Sequence, residues 1–398
     1  MLDKLKRHYP ILLLTAGHGA VDFYIGLLQV VAPGLAVYLG VPLGDLIMLV
    51  GISGLLNNIA QPVAGYIMGR KNLSWILWFS IALSALPAFM GLVPGFWSLA
   101  AIILLGAMGT GLYHPEGALS AHEATGEKAY LGVPLFMAGG AGIYAIATPL
   151  SIKLTETFGF PALAWTAVPG LIVAALFLFQ YRERKRRHPS VVIRPRSKRV
   201  TKVQPGHMSF WPLLIVTSFF AVAGGMFIAL LSSHYELTFG PEARTWAGWV
   251  LMVFGFAGSL CSFWWSAVAH KRGFYQVVLL TQALAFPLYG LMAFPPSAAA
   301  GFIVSIPLSI VSSNAVYAVA VTMARNAAGL TQALRTSLLM GGTAGLSSVA
   351  VMVSGALLRR GMPSSRLMLF IALCSLMAVL LSVWQLLRQR AAGRRKEG

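Results

Sequence analysis

The chain has 398 residues, of which 57% are hydrophobic and only 10% are charged. Soluble domains carry charge on roughly a quarter of their residues, so this composition excludes a protein whose whole surface faces water. A net charge of +19 would suggest nucleic-acid binding in a soluble protein. Here the charges lie between long apolar segments, where they act as topology signals.

Twelve apolar segments follow one another along the chain. Each is close to the roughly 20 residues that a helix needs to cross a bilayer. We predict an all-α polytopic membrane protein with transmembrane helices near 10–38, 43–68, 74–93, 97–121, 130–153, 161–181, 209–232, 246–268, 275–293, 297–323, 336–358 and 367–387. An even number of spans puts both termini on one side of the membrane. Most Lys and Arg residues lie on that side, so the positive-inside rule predicts cytoplasmic termini.

The first span contains two ionisable residues, His18 and Asp22, which lie four positions apart and therefore on one helical face. A charged group at the bilayer centre costs about 2.5–3.5 kcal/mol on insertion scales, so we expect the pair to face the bundle interior. An aspartate beside a histidine exchanges protons near neutral pH. The pair predicts a proton relay or a substrate contact, and an interhelical hydrogen bond with a purely structural role is the alternative.

The second span contains the amides Asn57 and Gln61, again four positions apart on one face. Buried amides form hydrogen bonds between membrane helices. Contact with a substrate and simple helix packing therefore explain these two residues equally well.

The fourth span contains Tyr113-His114-Pro115-Glu116, one residue after Gly109-Thr110-Gly111. Proline removes a backbone donor and disturbs the helix. This predicts an opened helix in which freed carbonyls, an imidazole and a carboxylate offer a site for a proton or a polar ligand. The alternative is a kink near the membrane face at which Glu116 meets water.

The two halves of the chain carry related sequences, 135–142 in the fifth span and 338–345 in the eleventh. Other pairs match in the same order, which indicates duplicated six-helix bundles of the kind that supports alternating access. The matching glycines are predicted to let these helices pack closely and slide; they are Gly139, Gly140, Gly142, Gly341, Gly342 and Gly345.

A basic segment, 182–208, joins the two predicted bundles, 1–181 and 209–398, and has Glu183 as its only acid. We predict a cytoplasmic linker whose residues 182–202 attract anionic lipid headgroups. Binding of nucleic acid or of a protein partner is the alternative for such a charge run.

Three stretches of the chain resemble the major facilitator superfamily and, within it, the fosmidomycin-resistance-like transporters: 18–22, 57–66 and 109–116. The superfamily resemblance covers nearly the whole chain. The resemblance to the fosmidomycin-resistance-like transporters is strongest in the first half, and His-Pro-Glu at 114–116 is its most specific part. It implies a central cavity lined by helices 1, 4, 7 and 10, and proton-driven export of a small molecule. It places these residues around one cavity: His18, Asp22, His114, Glu116 and Asn314.

We therefore predict a proton-coupled secondary exporter of the bacterial inner (plasma) membrane, acting as a monomer. Its proton-coupling residues are Asp22 and Glu116 with His18 and His114, and its cavity residues are Asn57, Gln61, Tyr113 and Asn314. No phosphate-binding loop, HExxH motif or nucleophile elbow is found, so no cofactor, metal or enzymatic activity is expected. The expected partners are a small-molecule substrate, protons and membrane lipids, and not nucleic acid. The alternatives are proton-coupled uptake of a small organic anion and, from another class, a membrane-embedded enzyme or lipid-binding scaffold.

Overall fold

The structure is a computed structural model that describes residues 2–68, 75–125, 129–187, 209–328, 330, 335 and 338–397. It is helical throughout these ranges, apart from short turns and one isolated β-bridge between Ser209 and Ala328. The chain separates into two compact units, Met1–Arg199 and Val200–Gly398. The all-α fold class predicted from the sequence is confirmed.

Within its described residues, the first unit contains six α-helices. They are α1 (Leu2–Leu39), α2 (Leu43–Met68), α3 (Ile76–Ser84), α4 (Phe96–Thr125), α5 (Ala129–Phe158) and α6 (Ala167–Arg187). Helix α1 packs along α5 and also contacts α4, while α2 packs against α4. This arrangement brings the polar positions of α1, α4 and α5 to one place.

The second unit repeats the plan with one span divided in two. Its helices are α7 (Phe210–Phe239), α8 (Arg244–Arg272), α9 (Phe274–Ala293), α10 (Ala298–Val311), α11 (Ser313–Asn326), α12 (Thr343–Arg359) and α13 (Ser364–Glu397). Helix α13 packs on α9 and α7, α12 packs on α7, and α10 packs on α8.

Several boundaries differ from the sequence prediction for identifiable reasons. The third span has an α-helical part only to Ser84 and then becomes a 3₁₀ segment, Leu86–Leu92, in which Pro87 lacks the amide hydrogen that an α-helical turn needs. The tenth span breaks at Ser312, whose backbone is extended. A π-helical turn, Leu338–Gly342, precedes α12.

The junction between the predicted bundles also differs. Helix α6 continues to Arg187, past the predicted start of the linker at residue 182. An ion pair on its surface, between Glu183 and Arg186 at 3.0 Å, links neighbouring turns of this extension. The rest of the predicted linker, 188–208, lies outside the described residues, and the predicted linker limits stay a prediction.

The helices have the dimensions and surface of membrane spans. Within the described residues, eleven helical segments are long and apolar enough to cross a membrane, and a shorter apolar segment, Ile76–Leu92, corresponds to the predicted third span. Large apolar side chains such as Trp97 and Phe179 are exposed on the outside, which suits contact with lipid. Hydroxyls inside the helices bond to carbonyls of their own helix, as Ser84 does to Ser80 at 2.8 Å.

Candidate functional site

The candidate site is a cluster of three side chains from two helices, which we call the triad: His18 and Asp22 of α1 and His114 of α4. Nε2 of His18 lies 3.4 Å from Oδ2 of Asp22, and Nε2 of His114 lies 3.2 Å from Oδ1. The carboxylate therefore lies between two imidazoles. His18 and Asp22 share one face of α1, as predicted, and His114 of α4 approaches Asp22 on that face.

Both imidazoles are oriented by backbone carbonyls. Nδ1 of His18 is 2.7 Å from the carbonyl oxygen of Phe136, in α5. Nδ1 of His114 is 2.8 Å from the carbonyl oxygen of Thr110, one turn earlier in its own helix. A carbonyl oxygen only accepts hydrogen bonds, so each Nδ1 carries the hydrogen and donates it. This leaves both Nε2 atoms to face Asp22.

The hydrogen-bond pattern fixes a minimum number of protons in the triad. A neutral imidazole has one N–H, and here that N–H is already used at Nδ1. Its Nε2 then presents a lone pair to the Asp22 carboxylate, which also only accepts. A hydrogen bond between Asp22 and either His18 or His114 therefore requires one further proton on the triad.

Helix α5 closes the triad from one side at very short range. A Cβ atom at Gly140 would come within contact of Asp22 Oδ2 and lie only 2.7 Å from Cε1 of His18. Phe136, one turn earlier on the same face, stacks its ring on His18 with centroids 4.2 Å apart and planes 9° from parallel. Only glycine at position 140 leaves room for this packing.

The neighbouring glycines differ in what they contact. A Cβ at Gly139 would lie 2.7 Å from the carbonyl oxygen of Thr15 in α1, whereas one at Gly142 would meet nothing within 4 Å. Gly342 is also open, and Gly341 belongs to the same π-helical turn. Gly345 lies in the first turn of α12. Close packing of α1 and α5 thus depends on two of the six glycines named from the sequence.

The triad combines burial with partial access. His18 is 2% exposed, whereas the side chains of Asp22 and His114 are 21% and 23% exposed. The buried imidazole is thus fixed by packing, and the other two groups keep about a fifth of their side-chain surface exposed.

Tyr113 lies beside the triad in the core of the first unit. It is fully buried, and its hydroxyl donates a 2.8 Å hydrogen bond to the carbonyl of Leu14. Its ring stacks near His18, with centroids 6.5 Å apart. In this conformation Tyr113 joins α4 to α1, and the proposed contact with a solute stays a prediction.

Glu116 is fully buried in α4. It lies two positions after His114, and residues two apart do not share a helical face. Accordingly, among the described residues the mutually close metal-ligand-type side chains here are those of the triad, and Glu116 is not among them. Helix α4 also continues unbroken through Pro115, so the opened helix expected from the proline is not seen.

The two amides of the second span, Asn57 and Gln61, lie outside the triad, on α2, which packs against α4. Asn57 is 7% exposed, and its Oδ1 has no hydrogen-bond partner among the described residues. A Cβ at Gly111 of α4 would lie 3.3 Å from that oxygen, so Asn57 packs where α2 crosses α4. Gln61, one turn later, is partly exposed. Asn314 lies at the start of α11, and its side chain is outside the described part of the structure.

Two contacts of the site have no sequence signal that would have identified them. They are the carbonyl of Phe136 and the close approach of Gly140, because both depend on how α5 packs against α1. The glycine pair at 139–140 indicated close packing in general, but not its partner.

Comparison with known proteins agrees with this architecture. A sequence profile of the Major Facilitator Superfamily matches residues 14–344. The chain belongs to the Major Facilitator Superfamily. It is thus an integral membrane protein of a transporter family, as predicted, and the fosmidomycin-resistance-like resemblance stays a proposal.

Solved structures of other superfamily members share the fold. A bacterial homologue of the human lysosomal transporter Spinster, in an inward-facing and occupied conformation, matches with a TM-score of 0.70 at 15% identity over 97% of each chain. A peptide transporter of the POT family, described as auto-inhibited, matches with 0.69 at 12% identity over 96% of this chain and 97% of that one. The nucleoside transporter NupG matches with 0.68 at 12% identity over 93% of this chain and 98% of that one. A comparison with curated protein sequences gives no significant match.

Proposed function

We propose that this protein is a secondary active transporter that couples proton movement through the triad to export of a small organic molecule by alternating access. The observation that carries the proposal is Asp22 held between two imidazoles whose Nδ1 atoms both donate to carbonyls. Membership of a transporter family supports the general class. The solved relatives have names that refer to peptides, nucleosides and lysosomal transport, so the fold leaves the solute open.

The triad supports coupling because its charge depends on one proton. With that proton, the carboxylate and one imidazolium balance each other. Without it, Asp22 keeps a negative charge that faces two lone pairs in a largely apolar bundle, which is costly. A transporter meets this cost by changing conformation or by binding a solute, and a ligand shifts the conformational balance only through such a difference between states.

Other residues complete the proposed path. Glu116, a buried carboxyl in α4, the helix that carries His114, is proposed as the second proton carrier. Asn57 and Gln61 of α2, with Tyr113 and Asn314, are proposed to contact the solute. The unpartnered oxygen of Asn57 supports its part in this set, since a buried acceptor without a partner costs about 1–3 kcal/mol and a polar solute would satisfy it.

The proposed setting follows from the sequence. The distribution of Lys and Arg supports cytoplasmic termini in an inner (plasma) membrane, with the basic segment 182–202 attracting anionic lipid headgroups. The resemblance to the fosmidomycin-resistance-like transporters at 18–22, 57–66 and 109–116 supports export of a drug-like molecule. We propose that a single chain is the working unit.

Uptake of a small organic anion is the second candidate. A second proton on the triad would give two imidazoliums around one carboxylate, a net charge of +1, beside partly exposed groups. Such a site attracts an anion, and proton and anion would then move together. The direction of solute flux under an imposed pH gradient separates this candidate from export.

The decisive experiment uses purified full-length protein in liposomes with a pH-sensitive dye inside. The solute is first found by a growth screen of toxic compounds with and without the gene. Adding it should then move protons in the wild type, and Asp22→Asn and Glu116→Gln should each abolish this solute-dependent proton flux. The matched control is Asp45→Asn, a carboxylate in the first turn of α2, which should keep the flux. Unchanged flux in Asp22→Asn and Glu116→Gln would contradict proton coupling at these residues.

A further inference from the structure

We infer that the triad is also a binding site for a divalent first-row transition metal ion, with Zn²⁺ as the probe. The ligands are Nε2 of His18, Nε2 of His114 and the carboxylate of Asp22. Neither the family nor the sequence spacing assigns a metal here, because the two histidines come from separate spans. The inference depends on the geometry of the triad and not on the proton coupling proposed above.

The distances between the ligand atoms are close to those in a metal site. In a tetrahedral zinc site with bonds of about 2.0–2.1 Å, neighbouring ligand atoms lie about 3.3–3.4 Å apart. Nε2 of His18 lies 3.4 Å from Oδ2 of Asp22 and Nε2 of His114 lies 3.2 Å from Oδ1, so each imidazole faces its own carboxylate oxygen at about this separation. One ligand atom from each of the three residues lies within 4.8 Å of the others. A small closing movement of His114, the more exposed imidazole, would bring the two Nε2 atoms to bonding distance of one ion.

The surroundings of the imidazoles are those of metal ligands. A histidine that binds a metal through one ring nitrogen usually donates the other N–H to a carboxylate or a backbone carbonyl, which fixes its tautomer and orientation. Both histidines do this, towards the carbonyls of Phe136 and Thr110. Each Nε2 lone pair is therefore directed at the place where the ion would lie.

The packing around His18 and Asp22 holds these ligands in position. The ring of Phe136 covers His18, and the backbone of α5 at Gly140 lies directly against both side chains. A metal therefore gains two ligands that are already ordered, and less conformational entropy is lost on binding. Access for the ion and for a fourth ligand, such as water, comes from the exposed sides of Asp22 and His114.

The donor set determines the class of ion. Two imidazole nitrogens and one carboxylate suit Zn²⁺, Fe²⁺, Co²⁺ or Ni²⁺, whereas Mg²⁺ and Ca²⁺ prefer oxygen ligands. The +2 charge would also balance the Asp22 carboxylate, which lies 3.4 Å or less from both imidazoles. We therefore expect binding of the transition ions and none of Mg²⁺.

The test is isothermal titration of full-length protein, purified in detergent without a histidine tag and stripped of metal. The wild type should bind one Zn²⁺ per chain and no Mg²⁺. Asp22→Asn and His114→Gln should each weaken Zn²⁺ binding by about tenfold or more. The matched control is His270→Gln, an exposed histidine in the last turn of α8, which should leave the affinity unchanged.

A second measurement separates the site from the folding of the variants. Co²⁺ bound with four or five ligands gives strong visible absorption bands, and His114→Gln should remove them while its thermal unfolding in the absence of metal stays cooperative. No stoichiometric Zn²⁺ binding in the wild type would overturn the inference, as would equal binding in the triad variants or a loss of binding only in His270→Gln. Zinc binding without solute-driven proton flux would contradict the proposed coupling but support the metal site. Proton flux without zinc binding would contradict the metal site but support the coupling.

Discussion

The two units are built on the same helical plan but use their charged residues differently. In the first unit, Asp22 lies inside a span, between two imidazoles, and 21% of its side chain is exposed. In the second unit, the ion pair of Glu236 and Arg244 lies where α7 ends and α8 begins, with two bonds of 2.7 Å. The Asp22 charge lies inside a span with part of its side chain exposed, whereas the Glu236–Arg244 pair joins the end of α7 to the start of α8.

The interior of the second unit also contains contacts between neutral polar side chains. Its buried contacts include Ser375 Oγ with Gln282 Oε1 at 2.8 Å and Tyr317 with Thr343 at 3.0 Å. Hydroxyls and amides satisfy one another at neutral charge, which is cheaper in an apolar bundle than a carboxylate. These neutral contacts differ in charge from the triad of the first unit.

Arg335 extends the comparison. It is 1% exposed, and its Nε donates a 2.7 Å hydrogen bond to the carbonyl of Ala324, near the end of α11. A second bond runs to the carbonyl of Leu330. Cations stabilise the carbonyl ends of helices, so this buried charge joins Arg335 to the end of α11. Again the second unit uses a charge for structure.

The largest expected effect tests the difference between the two carboxylates directly. Asp22→Asn should abolish solute-driven proton flux in liposomes, because an amide at this position no longer provides the charge that holds the triad's proton. Glu236→Gln, measured at equal amounts of folded protein, should keep the ratio of protons to solute unchanged. Equal losses in the two variants would mean that the first unit has no special part in coupling.

The next effect concerns the packing of α5 on the triad. Gly140→Ala should lower the free energy of unfolding by about 1–3 kcal/mol, because the added methyl overpacks against Asp22 and His18. Gly142→Ala is the matched control, since a Cβ there meets nothing within 4 Å. Thermal unfolding in one detergent compares the two. A smaller loss for position 140 than for position 142 would show that α5 does not approach the triad this closely.

A smaller loss is expected for the ion pair of the second unit. Glu236→Gln should lower stability by about 1–2 kcal/mol, because Arg244 loses a charged partner in a largely buried setting. The two side chains are 12% and 15% exposed. Glu242→Gln, an exposed neighbour in the same turn, serves as the control and should change little. Thermal unfolding as a function of salt checks the assignment, since screening affects the buried pair less.

The smallest effect is expected at the end of α6. Glu183→Gln should cost about 0.3–0.5 kcal/mol, typical of a surface pair within one helix, because its partner Arg186 is 78% exposed. The unfolding temperature of this variant should thus stay close to that of the wild type. A loss as large as that of Glu236→Gln would show that this basic extension makes contacts beyond the pair.

The sequence by itself determined that lipid surrounds much of this protein, and it located most of the helices. Long apolar segments with nearly all charges between them leave no other arrangement in a bilayer, since every backbone group must bond within its helix. The spacing of His18 and Asp22 likewise put both on one face of the first span. The breaks in the third and tenth spans were harder to predict, because a proline does not fix where a helix ends. Pro87 lies at the start of the 3₁₀ segment, whereas α10 runs through Pro307 and breaks only at Ser312.

Only the tertiary structure decided what surrounds Asp22. His114 reaches it from another span, Phe136 supplies the carbonyl for His18, and Gly140 lets α5 approach. None of these distances follows from a helical period, because each depends on the packing of separate helices. The helical period determines which residues of one helix share a face. The number of protons on the triad and the arrangement of the proposed metal ligands depend instead on hydrogen bonds and distances within and between α1, α4 and α5.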